Sequence, residues 1–222
     1  MKKSKKILIS LIIIIILIII CLLLYKFVFN NNSNKEVKVI KRISGYDYVL
    51  KENATKLYSD EFDNLDKILS SKSVDYEKYA KQIAKMFIID FYTLDNKLSK
   101  NDIGGTEFIK EDMRDNFIDQ ARSTFYKYLE VKSSKRKQDL PVVSKVNDVS
   151  LENIKFTITD KYKYKETTTS SKKVRTTTSK GTEVDAYKIT ISWEYEEDFG
   201  YEKDAKMIVI KDDNKLYIVE MN

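Results

Sequence analysis

The sequence predicts an α+β protein, in which an N-terminal transmembrane helix precedes three helices packed on a curved antiparallel sheet of four to five strands. Two features of the 222 residues predict this class. Residues 7–29 form a nearly unbroken apolar run. In the polar chain that follows, the spacing of apolar residues changes from 3.6 to 2 near Val142. These are the periods of a helix and of a strand that each bury one face.

The apolar run is long enough to cross a bilayer as a helix, since about 20 helical residues span the hydrocarbon core. In its first 18 residues only Ser10 and Cys21 are mildly polar, and Lys26 lies near enough to its end to reach the headgroups. We interpret the run as a retained anchor. The alternatives are a cleaved secretory signal and a lipoprotein signal at Cys21, but the run is longer than a signal and Ile20 precedes the cysteine where a small residue is usual.

The orientation of this anchor is predicted from the density of positive charge, because the counts on the two sides are nearly equal. Four lysines and the α-amine lie within residues 1–6, and moving each charge outward costs about 2.3 kcal/mol per 100 mV. Long C-terminal domains translocate largely regardless of their charge. We therefore predict a single-pass protein of the cell membrane with a cytoplasmic tail at residues 1–6, a stalk or linker at residues 30–45 and an extracellular domain at residues 46–222.

The composition excludes several classes of function. Residues 1–29 hold five lysines and no acid, which leaves 35 basic and 34 acidic groups in the rest of the chain. A nearly neutral outer domain offers no general electrostatic basis for binding nucleic acid. The chain has no histidine, and Cys21 is its only cysteine, so the outer domain lacks the residue types for disulfides, His or Cys metal sites and Ser-His-Asp triads. We expect no enzymatic activity, no cofactor and no metal.

Three apolar stripes predict the helices of residues 46–131. The predicted helices cover residues 46–69, 74–98 and 110–131. The second stripe is the most regular and predicts the central helix of the core, with Tyr76, Ala80, Ile83, Phe87, Phe91, Leu94 and Leu98 facing inward. Gly104 and Gly105 follow it, and paired glycines indicate a turn.

Alternating residues predict the strands of residues 142–222. The apolar positions are Ile154, Phe156 and Ile158 on one strand, Tyr187, Ile189, Ile191, Trp193 and Tyr195 on the next, and residues 205–210 and 216–221 on a final pair. The first set has even numbers and the second odd numbers. An antiparallel hairpin therefore needs an odd register sum or a bulge to place both sets on one face. We expect Lys155, Lys161 and Lys163 to form cross-strand pairs with Glu194 and Glu196.

Helices followed by long strands with aromatic inner faces resemble the NTF2-like, or cone, fold. With the N-terminal anchor, the layout of residues 46–222 looks most like the VirB8-type components of conjugation and type IV secretion machines. The segment Asp90–Lys97, followed by Asn101–Gly105, is similar to a motif in small uncharacterised membrane proteins of Gram-positive bacteria. This resemblance implies an interaction or scaffold role in the bacterial cell envelope and implies no particular functional residues.

Two groups of side chains are candidates for a functional site. Phe87, Asp90, Phe91, Ile191, Trp193 and Tyr195 form either a ligand pocket or part of the core. Asp90 is suited to act as a general base only if its pKa is raised, and is otherwise satisfied by a Tyr, Lys or Arg side chain. The second group is the basic segment Lys161, Lys163, Lys165, Lys172, Lys173 and Arg175, which either contacts an anionic surface or is a solvated hairpin tip.

These observations predict a single-pass, membrane-anchored extracytoplasmic interaction or scaffold module of the bacterial cell envelope, within a conjugation or secretion assembly. Its expected partners are the membrane and other envelope proteins or a second copy, since an acidic cluster between Glu194 and Asp204 complements the basic segment. No nucleic-acid partner is expected. The alternative is an NTF2-like domain that binds a small apolar ligand.

Overall fold

The computed structural model describes residues 16–21, 37–159, 163–169, 172–178 and 181–222. The chain divides into two units, residues 1–38 and 39–222. In the first unit, residues 16–21 are helical. The cytoplasmic tail, the remainder of the predicted anchor and residues 30–36 of the stalk lie outside the described residues. Within the described part of the chain, no helix has both the length and the apolar character needed to span a membrane.

The second unit is a mixed α+β domain with a curved antiparallel sheet. Its helices are α1 (Lys56–Leu69), α2 (Tyr76–Tyr92) and α3 (Glu111–Ser123), with a single 3₁₀ turn at Thr106–Phe108. Its strands are β1 (Val39–Arg42), β2 (Val49–Lys51), β3 (Val143–Thr159), β4 (Lys163–Thr169), β5 (Lys172–Thr178), β6 (Gly181–Tyr195), β7 (Asp204–Asp212) and β8 (Lys215–Met221). The predicted order of helices before the sheet is present.

The predicted first helix over residues 46–69 is too long at its N-terminal end. β1 and β2 form an antiparallel hairpin, and the tight turn between them contains Gly45 at a φ of 79°. α1 begins only after Thr55, whose side chain accepts a hydrogen bond from the N–H of Tyr58 (3.2 Å). Residues 39–42, which were predicted to belong to the stalk, and residues 49–51, which were predicted to be helical, therefore form a β-hairpin.

α2 is the central helix of the core, as its stripe predicts. It begins after Asp75, whose carboxylate accepts from the N–H of Lys78 (3.1 Å). It ends six residues earlier than predicted because Thr93 adopts an extended backbone. The Thr93 hydroxyl accepts from the N–H of Val143 (3.1 Å), and the N–H of Leu94 donates to Pro141 (2.9 Å), so the chain after α2 is held against the start of β3.

α3 ends at Ser123, whereas the prediction extended it to residue 131. The hydroxyls of Ser123 and Thr124 both donate to the carbonyl of Gln120, at 3.0 and 2.7 Å. The N–H of Tyr126 then bonds to Ala121 (2.9 Å). Such local hydroxyl-to-backbone bonds compete with the regular helical pattern.

The main sheet has four strands in the order β3-β6-β7-β8, and each pairs with its neighbour in antiparallel fashion. β4 and β5 pair separately with each other. The core lies between α2 and the main sheet. There the ring of Tyr92 lies 4.7 Å from that of Trp193, measured between centroids, and the buried side chains of β6 include Ile189 and Ile191.

β3 contains a bulge between Val146 and Val149, but it does not bring the two predicted apolar sets onto one face of the sheet. The bulge places Val146 opposite Trp193 and Val149 opposite Ile191, and all four side chains lie on the core face. Beyond it, Ile154 pairs with Ala186 on the opposite face of the sheet. The expectation that the even-numbered residues of β3 share the core face with Trp193 is therefore wrong beyond the bulge.

This register also changes the cross-strand ion pairs. Lys155 pairs with Asp185 at 2.6 Å, and Lys145 contacts Glu194 at 3.7 Å. The expected pairing of Lys155 with Glu194 is therefore wrong, because these residues lie at opposite ends of the β3–β6 ladder. Lys161 and the side chain of Lys163 lie outside the described residues.

Candidate functional site

Asp90 is the centre of a buried polar cluster at the end of α2. Its Oδ1 forms a salt bridge with Lys97, whose side chain is only 4% exposed. Its Oδ2 accepts from the N–H of Gly105 (2.6 Å). Burial acts to raise the pKa of Asp90, but the Lys97 ammonium and the Gly105 N–H together hold that pKa below its usual value. Asp90 is therefore an ionised structural carboxylate, which corresponds to the interpretation as a satisfied side chain.

Glu107 is a second carboxylate of this cluster, half-buried, and sequence reasoning did not find it. The Tyr58 hydroxyl donates to its Oε1 (3.0 Å). Burial raises the pKa of Glu107, and the negative charge of Asp90 raises it further. The cavity between these groups has a volume of about 20 Å³, which holds a water-sized molecule and is too small for a substrate. The cluster therefore has the polar groups of an active site, but its cavity is too small to hold a substrate.

The glycine turn after α2 fits closely against this cluster and the aromatic core. Gly105 has a φ of 72°, a conformation that costs about 1–2 kcal/mol for residues with a Cβ. A Cβ at this position would lie 2.7 Å from the Phe87 ring, and one at Gly104 would clash with the backbone of Asp90. The predicted turn is confirmed. Its Gly105 donates its N–H to Asp90 and lies against the Phe87 ring, so one residue contacts both side chains.

An open apolar groove lies on the other side of Phe87, between α3 and strand β8. We call it the α3–β8 groove. Its volume is about 270 Å³, and its lining combines apolar and polar side chains. They are Phe87 and Phe91 of α2, Ile109, Met113, Asn116, Phe117, Gln120 and Ala121 of α3 and the turn before it, Thr124, and residues 218–221 of β8. The Met113 side chain is 39% exposed in spite of its apolar character. Among the described residues this groove has both the apolar lining and the volume for binding a partner or a ligand.

The floor of the groove is a packed layer of three aromatic rings, those of Phe87, Phe91 and Phe117. The rings of Phe87 and Phe91 stack with their centroids 5.3 Å apart. The Phe117 ring lies 5.9 Å from Phe87 and 5.4 Å from Phe91. Offset and tilted rings at these distances pack favourably, so the floor is closely packed although its upper surface is open.

The predicted pocket residues are thus divided between three environments. Phe87 and Phe91 line the groove. Asp90 belongs to the polar cluster. Ile191 and Trp193 are buried in the core, and Tyr195 is also buried, with its hydroxyl donating to the carbonyl of Glu202 (3.0 Å). The structure does not bring the six residues together as one pocket.

The basic segment is described only in part. Lys163 and Lys165 lie on β4, and Lys172, Lys173 and Arg175 lie on β5. The backbones of these two strands are paired along their whole length, from Lys163 opposite Thr178 to Thr169 opposite Lys172. Their side chains and the whole of Lys161 lie outside the described residues. Contact of this segment with an anionic surface stays a prediction.

No family model, curated protein or solved structure matches this chain. The described residues contain no group of three or more His, Cys, Asp or Glu side chains positioned to hold a metal ion. Two half-buried carboxylates, one lysine and one tyrosine are suited to general acid–base chemistry in principle. The small volume beside them and the open groove nearby favour binding as the function to be tested.

Proposed function

We propose that this protein is a single-pass, membrane-anchored module of the bacterial cell envelope, whose outer domain binds another protein through the α3–β8 groove. The observation that carries this proposal is an apolar groove of about 270 Å³ left open between a helix and an edge strand. Exposed apolar surfaces of this kind mark interaction sites in folded proteins.

The membrane part of the proposal is supported by the apolar run at residues 7–29 and the lysines of residues 1–6. They support a cytoplasmic N-terminus and a C-terminal domain outside the cell. The helices and curved sheet of the second unit support an NTF2-like arrangement and, with the anchor, a scaffold part of a conjugation or secretion assembly. The near-neutral outer chain supports a protein partner over nucleic acid.

Labelling of engineered cysteines tests the orientation, because Cys21 is the only native cysteine. We expect a membrane-impermeant maleimide to label Ser133→Cys in intact cells. Ser4→Cys, in the predicted tail, should react only after lysis. The opposite pattern would overturn the proposed orientation, and labelling of both sites in intact cells would overturn the assignment of an internal N-terminus.

Photo-crosslinking in intact cells tests the groove. A photoreactive amino acid placed at Met113 should give a cross-link to another envelope protein, identified by mass spectrometry. The matched control is Tyr128, which is 76% exposed and does not line the groove. A cross-linked protein from a secretion or conjugation assembly at position 113 alone supports the proposal. Equal products at both positions, or none at position 113, would contradict it.

A second candidate function is the binding of a small apolar ligand, and it is favoured by Phe87 and Phe91 in the groove lining. These are two of the residues proposed for such a pocket. A ligand-binding domain should take up an apolar fluorophore such as N-phenyl-1-naphthylamine saturably with one molecule per chain, and Phe117→Asp should abolish uptake. Uptake that does not saturate, or that survives this substitution, argues against a ligand pocket.

A further inference from the structure

We propose that the Lys97 amine and the Asp90 carboxyl group condense into an amide bond inside the folded domain, with Glu107 transferring protons and one water molecule released. This cross-link goes beyond the proposed interaction function and does not rest on it, because it uses the polar cluster at the end of α2. Four features carry the inference. They are the contact between the reacting groups, their burial, a backbone donor on the acyl oxygen and a third carboxyl group in the same cavity.

The two reacting groups are already in contact. The Nζ of Lys97 touches the Oδ1 of Asp90, so the attacking nitrogen lies beside an oxygen that is bonded to the carbon it would join. Two reactants held in a productive geometry reach effective concentrations on the order of 10⁵ M or more. The cavity is too small for an external substrate, but a reaction between two side chains of the chain itself needs none.

Burial favours the uncharged forms that can react. An ammonium has no lone pair, so the ion pair must first pass one proton from Nζ to Oδ1, which gives a neutral amine and a neutral carboxyl group. Lys97 is 4% exposed and Asp90 is 18% exposed, and such burial penalises the charged forms. Desolvation is a common way to activate a lysine amine as a nucleophile. The pKa of Asp90 is nevertheless below its usual value, so the salt bridge is the stable reactant state and the linkage accumulates slowly.

The backbone N–H of Gly105 is placed to stabilise the intermediate. It donates to the Oδ2 of Asp90 (2.6 Å). Attack of the amine on Cγ moves negative charge onto this oxygen, and a fixed N–H donor at such a position lowers the barrier. The Phe87 ring limits movement of Gly105, since it lies against this residue. Oδ2 therefore remains in the amide, while Oδ1, on the side of Lys97, is the oxygen that leaves.

Glu107 provides the third carboxyl group. It lines the same cavity of about 20 Å³ as Asp90 and Lys97, and its Oε1 accepts from the Tyr58 hydroxyl (3.0 Å). Its pKa is raised, which suits a group that takes up and returns a proton near neutral pH. A cavity of this volume has space for one water molecule, which can relay the proton and is also the product of the reaction.

The atoms and electrons of the reaction balance. After the first proton transfer, the lone pair of Nζ forms the bond to Cγ and the carbonyl electrons move to Oδ2. Glu107 takes one proton from Nζ and returns it to the Oδ1 hydroxyl. The Cγ–Oδ1 bond breaks, Oδ1 leaves as water and the carbonyl reforms at Oδ2. An ammonium and a carboxylate thus become an amide and water, Glu107 is unchanged, and no oxidant or other reactant is needed.

Mass spectrometry of the full-length protein in detergent tests the linkage. During incubation of the purified protein, we expect its mass to fall by that of one water molecule. Trypsin should then fail to cut after Lys97 and leave residues 86–100 as one peptide that is lighter by one water. Chymotrypsin, which cuts after Phe91 and Tyr92, should leave two fragments that stay joined. A cyclic imide at an aspartate also loses water, but it joins no fragments.

The chain contains a matched control for proximity alone. Lys56 and Asp60 are 2.6 Å apart, but their side chains are 87% and 58% exposed. Trypsin should cut after Lys56 at all times, with no loss of mass in the peptides on either side. Linkage at both pairs would show unspecific dehydration and would overturn the assignment of the reaction to the polar cluster.

Variants test the role of each group. Lys97→Arg should abolish the linkage, because the guanidinium is not a nucleophile at neutral pH. Asp90→Asn should still link, with ammonia in place of water as the leaving group, and an unfolded variant would not give this product. Glu107→Gln should slow the linkage about a hundredfold, the contribution typical of a general acid–base group. Unfolding curves followed by Trp193 fluorescence show whether each variant is folded.

The result for the unmodified sequence decides the proposal. Complete cleavage after Lys97 with an unchanged mass would overturn it, whatever the variants show. Loss of water that persists in Lys97→Arg would also overturn it, and a folded Glu107→Gln variant that links at the original rate would overturn the role of Glu107. None of these results changes the photo-cross-linking expected at position 113, so this inference and the proposed function fail separately.

Discussion

Asp90 and Lys97 form a salt bridge across the end of α2, and Lys97 is the more deeply buried partner, with 4% of its side chain exposed against 18% for Asp90. The two residues are seven positions apart, but they do not lie on consecutive turns of one helix. They meet because α2 ends at Tyr92 and the chain turns back beneath it. The pair therefore fixes the path of the chain that leaves the central helix.

Replacing Lys97 by Met tests the role of this pair. The substitution keeps the length of the side chain but leaves the Asp90 carboxylate without its cation, and breaking a buried pair from one side costs about 3 kcal/mol. We expect this loss in the free energy of unfolding by urea, followed by Trp193 fluorescence. The double variant with Asp90→Asn should lose less than the sum of the single variants. Additive losses would show that the two side chains do not interact.

The half-buried Glu107 gives a pH-dependent contribution to stability that is opposite in sign to that of Asp90. Because the pKa of Glu107 is raised in the folded protein, the folded state is penalised as the pH rises from about 4.5, the ordinary value, through the raised folded value. Because the pKa of Asp90 is lowered, its stabilisation is present above its ordinary value and is lost only as the pH falls through the folded one.

Glu107→Gln should therefore stabilise the protein at pH 7, since glutamine accepts the same bond from Tyr58 without a charge beside Asp90. The gain should shrink as the pH is lowered and vanish below pH 4.5, where the native carboxyl is protonated in both states. The measurement is the urea midpoint of both proteins at several pH values. A constant difference between them across this range would contradict the assignment.

Gly105→Ala should destabilise the protein by about 2 kcal/mol or more, from a left-handed backbone and contact with the Phe87 ring. Gly200 provides the control, since it has a φ of 76° and nothing within 4 Å of an added Cβ. Gly200→Ala should cost only about 1 kcal/mol, the backbone contribution alone. Equal losses in urea unfolding would show that the contact with Phe87 relaxes freely.

The hydroxyl pair of Tyr48 and Tyr79, whose oxygens lie 2.6 Å apart, should also contribute to stability. Tyr79→Phe removes the partner of both Tyr48 and the Leu216 N–H, and we expect a loss of about 1 kcal/mol. Tyr128→Phe removes an exposed hydroxyl and should change nothing. The midpoint of thermal unfolding compares the two variants, and an unchanged value for Tyr79→Phe would exclude a structural role for its hydroxyl.

The elements that could be predicted are those determined by local patterns. The stripe of α2 identifies the central helix because the spacing of apolar side chains is a property of neighbouring residues. The limits of the helices were less predictable. Thr93 stops α2 through a bond to Val143, fifty residues away in sequence, and no local pattern reports such a contact.

The candidate site was predicted only in fragments for the same reason. Met113 and Phe117 lie in the predicted helix of residues 110–131, but an apolar stripe does not show whether another element covers it, and Met113 is exposed. Here the sheet ends at β8, and part of the stripe stays open. Glu107 lies outside any periodic stripe, and its burial depends on α1 through Tyr58.

The position of β8 also sets the time at which the domain can finish folding. Its Leu216 contacts Tyr48 and Tyr79, which precede it by 168 and 137 residues. At about 5–20 residues per second, the ribosome makes Leu216 roughly 10 to 30 s after Tyr48. Throughout that interval the helical half lacks a strand that completes its core. The domain therefore completes folding only after the last strand has left the ribosome, and any chaperone or translocation machine must handle the helical half in an incomplete state.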